Sequence, residues 1–181
     1  LLRDLKIKYP ILKVLNLPKH MGKTAALAAG IEAAQGELIA TQDADGEDDP
    51  HYLPAMLDKL NSGSDLVCAV RTQRKHPVHK CLLSWLFNVV VRAALRVEVS
   101  DINAGLKLGR KEMWLRIPMR SGFHRFIPVL AKHLGYSVAE VKVVHRRRIA
   151  GRSHYGVGRY LETVKDFLTI FRLSRFWKRD Y

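Results

Sequence analysis

The sequence predicts an α/β fold in which helices flank a mostly parallel β-sheet. Short apolar runs typical of buried strands alternate along the chain with longer segments of helical character. At 181 residues, of which 48% are hydrophobic, the chain is long enough for one domain with a substantial core.

The elements are expected in alternating order along the chain. The predicted strands are residues 11–17, 37–42, 65–70, 106–109 and 138–145. The predicted helices are residues 1–8, 25–35, a short helix after Pro50 that ends near 61–63, 79–96, a short helix from 124 that Gly135 closes, and 157–178. Thr24 is expected to cap helix 25–35 and Gly36 to end it.

An acidic segment, residues 41–50 (Thr-Gln-Asp-Ala-Asp-Gly-Glu-Asp-Asp-Pro), follows strand 37–42. Side chains two apart on a strand point to the same face, so Asp43 and Asp45 can converge at its end. In open α/β sheets, ligands bind outside the carboxyl ends of the strands. Two carboxylates there, with Glu47 as a third ligand, suit Mg²⁺ or Mn²⁺ that takes its remaining ligands from a substrate diphosphate.

The rest of the acidic segment has a structural explanation. Asp49 followed by Pro50 is a good N-cap and first-position pair for a helix, so we assign Asp48 and Asp49 to capping. An EF-hand is excluded, because its loop needs Gly at position six and Glu at position twelve. Counted from Asp43, those positions hold Asp48 and Pro54.

The charge balance indicates a polyanionic partner. Lys and Arg number 31 against 17 Asp and Glu, giving a formal net charge of +14. Nucleic acid, an anionic lipid surface and a phosphorylated substrate all fit that charge.

Two cysteines indicate no disulfide framework and a reduced, cytosol-facing setting. The longest apolar run, residues 82–95, is too short to span a bilayer.

Residues 22–24, Gly-Lys-Thr, come before a predicted helix, as in a phosphate-binding P-loop. The P-loop pattern needs a Gly five positions before Gly22, where this chain has Leu17, so a P-loop NTPase is disfavoured. Lys23 beside a helix N-terminus can still help to hold a phosphate.

Arg71 and Arg74 follow strand 65–70 and are expected at the same sheet edge as the acidic segment, where guanidinium groups suit phosphate.

Two helices carry apolar stripes with more than one interpretation. Helix 157–178 places basic residues largely opposite the stripe formed by Leu161, Val164, Leu168 and Phe171. It either lies on an anionic membrane or docks on its own sheet. Helix 79–96 also has an apolar face, and Trp85 and Phe87 lie outside that face. Core packing is the expected role of these two aromatics, and a membrane contact is the alternative.

Taken together, these motifs resemble the inverting family 2 glycosyltransferases of the dolichyl-phosphate mannosyltransferase and polyprenyl-phosphate sugar transferase type. The acidic segment from Asp43 resembles that family's Asp-Ala-Asp-Leu-Gln-Asp-Asp-Pro signature. The other matching blocks are residues 22–27, Val70-Arg71 with Arg74, residues 100–105, residues 124–128, and a closing block of His145, Arg148, Gly151, Ser153 and Tyr155.

The resemblance implies a GT-A-type, Rossmann-like sheet and a role for each matching residue. Asp43, Asp45 and Glu47 would hold Mg²⁺ or Mn²⁺, and Asp101 would lie near the sugar and acceptor. The implied phosphate-binding residues are Arg71, Arg74, Arg148, Ser153 and Tyr155, with Arg148 also catalytic. The implied nucleotide-sugar contacts are Gly22, Lys23 and Ala44.

Several positions depart from the family pattern. Glu47 replaces Gln, Gly46 replaces Leu, His154 replaces Lys and His20 replaces Asn. The family's Pro-x-Tyr-Asn-Glu and Asp-Asp-Gly-Ser motifs, which bind the nucleoside, do not occur. We therefore expect an N-terminally truncated protein that lacks the first strands and has little or no activity alone. Its expected parts are a partial catalytic domain, residues 1–156, and a basic amphipathic helix, residues 157–181.

The expected activity is inverting, metal-assisted transfer of a sugar from a GDP- or UDP-linked donor to a polyprenyl phosphate. The expected location is the cytoplasmic face of a membrane, with peripheral attachment or an anchor outside this chain. One alternative is a basic nucleic-acid-binding module, against which the acidic segment argues, and we expect no nucleic-acid partner. Another is an inactive, truncated interaction domain.

Overall fold

The computed structural model describes residues 2–72, 78–144, 146 and 157–177. Its four-stranded sheet contains β1 (Leu38–Thr41), β2 (Leu66–Thr72), β3 (Lys107–Arg110) and β4 (Val138–Val144), in the order β1-β3-β2-β4. The helices are α1 (Leu2–Lys8), α2 (Gly22–Ala33), α3 (Leu53–Asn61), α4 (Val78–Leu95), α5 (Lys111–Arg116), α6 (Ile127–His133) and α7 (Val157–Trp177). Short 3₁₀ turns, Pro50–Tyr52 and Phe123–Phe126, come before α3 and α6.

The sheet is mixed. β2 and β4 are parallel, whereas β3 is antiparallel to both β1 and β2. The strands β1, β2 and β4 therefore share one direction, as predicted, and their carboxyl ends meet at one edge. The reversed β3 was not predicted. The loop before it brings Asp101 to Arg71, at the carboxyl end of β2, so β3 starts at that edge and runs back.

The sheet separates two hydrophobic clusters. Successive β2 residues point to opposite faces, so Leu66 and Cys68 join one cluster and Val67 and Ala69 join the other. The first cluster takes side chains from α2, α4, α5, α6 and α7, and the second packs under α3. The α/β prediction with flanking helices is confirmed.

Two predictions about individual elements differ from the structure. Residues 11–17 were predicted as a strand but lie outside any strand, and the side chain of Ile11 is 92% exposed. A strand needs a hydrogen-bonded neighbour, and no other strand in the described part of the chain pairs with this segment. Helix α5 was not predicted, because six residues are too few to show helical periodicity.

Helix α7 docks some of its apolar residues on the core and leaves others exposed. It docks on the core through Phe167, Ile170 and Phe171. On another face, Leu161, Val164 and Leu168 are exposed. Phe171 is therefore separated from the stripe to which the sequence assigned it.

Helix α4 is also apolar on two sides. Its buried side carries Val91 and Leu95, and Phe87 packs edge-to-face on Phe126 with the ring centroids 5.8 Å apart. Core packing is therefore correct for Phe87 and wrong for Trp85, whose side chain is 60% exposed. The other exposed apolar residues of α4 are Leu82, Leu83, Leu86, Val89 and Val90. Among the described helices, none is long and apolar enough to cross a bilayer.

Candidate active site

The acidic segment forms a compact loop at the carboxyl end of β1. The amide N–H of Asp43 donates to Asp48 Oδ2 at 3.3 Å, and the N–H of Glu47 donates to Asp45 Oδ1 at 3.1 Å. Asp49 accepts from the N–H of His51 at 3.1 Å and caps the first 3₁₀ turn, as predicted. The capping role predicted for Asp48 is wrong, because its carboxylate instead accepts the amide N–H of Asp43 within the loop. Burial, with the nearby charge of Asp43, raises the pKa of Asp48.

The loop before β3 forms the floor under these carboxylates. A Cβ added at Gly105 would overlap Asp48 Oδ2 and lie 2.9 Å from Asp43 Cγ. Thr41 Oγ1 fixes the same backbone by donating to the carbonyl oxygen of Gly105 at 3.0 Å. Only glycine leaves room for both carboxylates at this point.

Lys23, at the start of α2, supplies a cation to the acidic loop. Its Nζ lies 2.5 Å from Asp43 Oδ1. Burial raises the pKa of Asp43, but the charge and hydrogen bond of Lys23 outweigh burial and hold that pKa below its usual value. The structure therefore brings together Lys23 and the acidic loop, which contains Asp43, Ala44, Asp45 and Glu47. Gly22 precedes Lys23 with φ +80, a value that favours glycine.

Arg71 and Asp101 form a buried, bidentate ion pair. Arg71 Nε donates to Asp101 Oδ2 at 2.7 Å and Nη2 donates to Oδ1 at 2.9 Å. The Asp101 side chain is 1% exposed and that of Arg71 is 15% exposed. Both carboxylate oxygens accept hydrogen bonds, which favours an orienting role for Asp101. Glu140 holds the same loop by accepting from the N–H and the hydroxyl of Ser100.

Two neighbours of the acidic loop were missed from the sequence. Lys107 on β3 is 3% exposed, donates to the carbonyl oxygen of Ala104, and has its pKa lowered by burial. Arg146, just after β4, donates its N–H to the carbonyl oxygen of Glu47 at 3.2 Å and pairs with Asp49. Lys107 could have been found from its charge inside an apolar strand.

A third missed feature is the 3₁₀ turn before α6. His124 Nδ1 lies 2.7 Å from Thr24 Oγ1, which also accepts the N–H of Gly122 at 3.1 Å. Thr24, predicted as a helix cap, instead links α2 to this turn. On the other side, Arg125 donates to Asp166 of α7 at 2.8 Å.

The remaining predicted site residues cannot be placed. Arg74, Arg148, Ser153 and Tyr155 lie outside the described residues. Within the described ranges, no three His, Cys, Asp or Glu side chains converge as a metal site. The described site consists of the carboxylates of Asp43 and Asp48 over Gly105, with Lys23 beside Asp43.

Comparison with known proteins decides the family. The model of glycosyl transferase family 2 matches residues 1–127. The chain belongs to glycosyl transferase family 2. It is 31% identical over 172 residues to a dodecaprenyl-phosphate galacturonate synthase of Rhizobium johnstonii, covering 93% of this chain and 51% of that protein. It is 31% identical over 156 residues to an undecaprenyl-phosphate 4-deoxy-4-formamido-L-arabinose transferase of Pseudomonas aeruginosa, covering 84% of this chain and 45% of that protein.

This family 2 chain spans about half the length of the curated relatives it matches. A solved structure, glucosyl-3-phosphoglycerate synthase from Mycobacterium tuberculosis with Mn²⁺, UDP-glucose and glycerol 3-phosphate, aligns with a TM-score of 0.60 at 20% identity. The alignment covers 94% of this chain and 58% of that one. The same enzyme with Mg²⁺ and UDP aligns with a TM-score of 0.61 at 18% identity and the same coverage. These similarities confirm the GT-A-type fold.

Proposed function

We propose that the protein transfers a sugar from a nucleotide-diphosphate donor to a polyprenyl phosphate, with inversion at the anomeric carbon. The observation that carries the proposal is the carboxylate pair over Gly105, with Lys23 and the Arg71–Asp101 pair at the same edge of the sheet. The two curated relatives act on dodecaprenyl or undecaprenyl phosphate, according to their names.

The acidic loop fits a divalent cation. Its donors are hard carboxylate oxygens, and Gly105 leaves the space in which the carboxylates of Asp43 and Asp48 pack. Mg²⁺ commonly takes one or two carboxylates and completes its shell with water and substrate phosphates. Asp43 and Asp45 would supply those carboxylates and Glu47 a further oxygen. When bound, Mg²⁺ or Mn²⁺ would neutralise the negative charge that grows on the leaving diphosphate.

The chain's own residues would bind and orient the two substrates. Lys23 would move from Asp43 to a donor phosphate, and Gly22 and Ala44 would line the same position. Phosphates of the donor or the lipid would bind Arg71, Arg74, Arg148, Ser153 and Tyr155. Asp101 would hold Arg71 in place, since both its oxygens already accept from that side chain.

The transfer itself needs no general base. A phosphate monoester has its second pKa at roughly 6, so the lipid phosphate is largely ionised at neutral pH. One of its oxygens attacks the anomeric carbon, and the bond from that carbon to the diphosphate oxygen breaks. The diphosphate leaves with the electron pair, so the protein's task is alignment and charge stabilisation.

The apolar surface of α4 and α7 gives the lipid acceptor a place to approach. We name it the α4–α7 surface: Leu82, Leu83, Trp85, Leu86, Val89, Val90, Leu161, Val164 and Leu168, all exposed. Lys165 and Arg172 of α7 are exposed as well. Apolar residues with neighbouring basic groups suit the interface of an anionic membrane, and we assign this surface to the membrane's cytoplasmic face.

A transfer assay tests the proposed activity. The chain is incubated with Mn²⁺, undecaprenyl phosphate in detergent, and either UDP- or GDP-linked hexoses labelled in the sugar. We expect little or no labelled lipid from this chain alone, and labelled lipid once the family's nucleoside-binding segment is joined ahead of residue 1. That activity should be lost with Asp43→Asn and unchanged with Asp58→Asn, an exposed residue of α3. Metal-dependent nucleotide binding is followed by calorimetry in the same variants. Unchanged nucleotide binding by Asp43→Asn would remove that carboxylate from the site.

Vesicle co-sedimentation tests the membrane contact. Wild type should bind vesicles containing phosphatidylserine at low salt and lose binding at high salt. Replacing Trp85 and Leu86 together by Ser should weaken binding at both salt concentrations, because apolar burial is lost. Leu115→Ser, an equally exposed leucine on α5, is the matched control. Equal binding by both variants would show that the α4–α7 surface does not contact the bilayer.

A further inference from the structure

An open groove of about 570 Å³ lies at the carboxyl end of α4. Its lining residues come from the last two turns of the helix and the segment that follows: Val89, Arg92, Ala93, Arg96, Val97 and Glu98. The N–H of Val97 donates to the carbonyl oxygen of Arg92 at 3.3 Å and closes the helix. Leu95 and Val97 are buried, so the backbone that forms the groove is fixed by core packing.

Arg92 and Arg96 place two positive charges in this groove. They are four residues apart, so they lie on the same side of the helix turn, and both are exposed. Among the described residues, neither guanidinium forms an ion pair, and the Glu98 carboxylate in the groove pairs with neither. Like charges at this spacing repel each other, so an anion between them would be favourable.

The stability of α4 does not by itself explain Arg96. Its φ is +52, in the left-handed region that glycine adopts after a helix at no steric cost. A cation at this end also interacts favourably with the helix dipole, and that effect accounts for Arg92 without any ligand. For Arg96 the gain from the dipole is no larger than the cost of the left-handed backbone.

The groove is continuous with the exposed apolar face of α4. Leu82, Leu86 and Val89 follow one another at spacings of four and three residues, so they form one exposed line along the helix. The line leads to Arg92 and Arg96, and Val89 belongs to both the line and the groove. Acyl chains and a charged headgroup follow one another in a phospholipid in the same way. Arginine stems lie along apolar surface while their guanidinium groups reach such headgroups.

A short segment connects the groove to the Arg71–Asp101 pair. Asp101 follows Arg96 by five residues, which limits the distance between their Cα atoms to about 18 Å. Val99, between them, is fully buried and ties this segment to the core. A bilayer that contacts the groove would therefore lie close to the sheet edge at which the lipid acceptor is proposed to react.

We propose that this groove binds the phosphate of an anionic phospholipid headgroup through Arg92 and Arg96. A guanidinium group can donate two parallel hydrogen bonds to phosphate oxygens, which a lysine ammonium cannot. The apolar line of α4 would lie in the interface beside the headgroup. The inference rests on the membrane contact in the proposed function and names the lipid that this contact selects. That lipid has a phosphate without a neighbouring headgroup cation, as in phosphatidylglycerol.

Vesicle co-sedimentation measures this selectivity. Vesicles of phosphatidylcholine alone are compared with vesicles of phosphatidylcholine and phosphatidylglycerol at one salt concentration. Arg92→Gln with Arg96→Gln should raise Kd for the mixed vesicles by about 30-fold, because each basic residue at an anionic surface adds to affinity. Kd for phosphatidylcholine should stay within about twofold, because the apolar contact is unchanged. A misfolded variant would lose both.

A lysine variant separates a headgroup site from diffuse attraction. Arg92→Lys with Arg96→Lys keeps both charges but loses the bidentate fork, so Kd for the mixed vesicles should still rise by about 3- to 10-fold. Diffuse attraction depends on charge alone, so an unchanged Kd would overturn the headgroup site. Arg110→Gln with Arg116→Gln removes the same charge from exposed positions on β3 and α5 and is the matched control. The control should weaken binding less than the glutamine change at Arg92 and Arg96 does.

Soluble phosphate and a second copy of the chain are the alternative occupants of the groove. Excess glycerol 3-phosphate at constant ionic strength should leave binding to the mixed vesicles unchanged. Displacement of the protein would assign the groove to a soluble phosphate and overturn the lipid. Analytical ultracentrifugation of wild type and of the glutamine variant should give the same mass. A dimer that only the variant loses would assign the groove to a second copy.

The outcomes distinguish this inference from the function on which it rests. None of these measurements needs a nucleotide donor, so sugar transfer is judged by its own assay. Equal binding of wild type to both vesicle types would overturn the headgroup site and leave the membrane contact standing. Absence of binding to either type would overturn the membrane contact and the inference together.

Discussion

The buried pair of Arg71 and Asp101 makes a strong prediction about stability. Removing one member of a buried ion pair costs about 3–5 kcal/mol of unfolding free energy, because the remaining buried charge loses its opposite charge. Asp101 is 1% exposed and Arg71 is 15% exposed. Arg71→Met, which removes the guanidinium from the more buried group, should therefore cost about 5 kcal/mol, and Asp101→Leu about 3 kcal/mol.

The double variant should be much more stable than the sum of the two losses. Replacing both charges with apolar side chains of similar size is often close to neutral, so we expect a loss of no more than about 2 kcal/mol. The coupling energy between the two sites would then be about 6 kcal/mol, beyond the usual range for contacting residues. This coupling energy arises because the two charges are buried as a pair. It is an upper limit, because the Arg71 side chain is still partly exposed to solvent.

Urea denaturation followed by tryptophan fluorescence measures these energies. Trp114 is buried in the core and donates to the carbonyl oxygen of Ile39, so its emission should report unfolding. Asp58→Leu on the exposed side of α3 is the control and should stay within about 0.5 kcal/mol of wild type. A coupling energy below about 1 kcal/mol would refute the argument. It would mean that Asp101 and Arg71 are separately solvated, and Asp101 could then serve as a proton acceptor.

Three further predictions follow from the site. Lowering the pH from 7 to 5 should reduce the free energy of unfolding by about 2 kcal/mol through His124, because its depressed pKa lets only the unfolded state gain a proton in this range. In urea titrations at both pH values, His124→Gln should remove this dependence of stability on pH. Gly105→Ala should abolish Mn²⁺-dependent nucleotide binding, because the added Cβ meets Asp48 and Asp43, whereas Gly30→Ala on α2, where a Cβ meets nothing, should leave it intact. Arg148→Lys should lower turnover far more than Mn²⁺ affinity, because the charge remains but the bidentate fork is lost; equal turnover would mean a solvated residue.

The sequence predicts the parts of the site that depend on local order. The carboxylates of the acidic segment are placed by the strand that precedes them, and Asp49 by the proline that follows it. Contacts between distant residues could not be predicted in the same way. Asp101 reaches Arg71 only because β3 runs opposite to β2, and a polar loop gives no local sign of that reversal. Thr24 and His124 are brought together by tertiary packing alone.

The prediction for residues 11–17 failed for a related reason. Alternating apolar residues indicate a strand only when another strand lies alongside, and this information is not local. The exposure of Trp85 was missed because a helix with apolar residues on two sides does not show which side is buried. Lys107 was missed because the prediction of this strand used only its apolar residues. A lysine inside an apolar strand indicates that a polar group lies next to it.

Helix α7 connects the two surfaces on which the proposed function depends. Its docked side places Phe167 and Ile170 in the core, and its exposed side contributes Leu161 and Leu168 to the α4–α7 surface. Between them, Asp166 pairs with Arg125, beside His124. The residues that would meet the lipid and the turn that carries His124 are therefore attached to one helix.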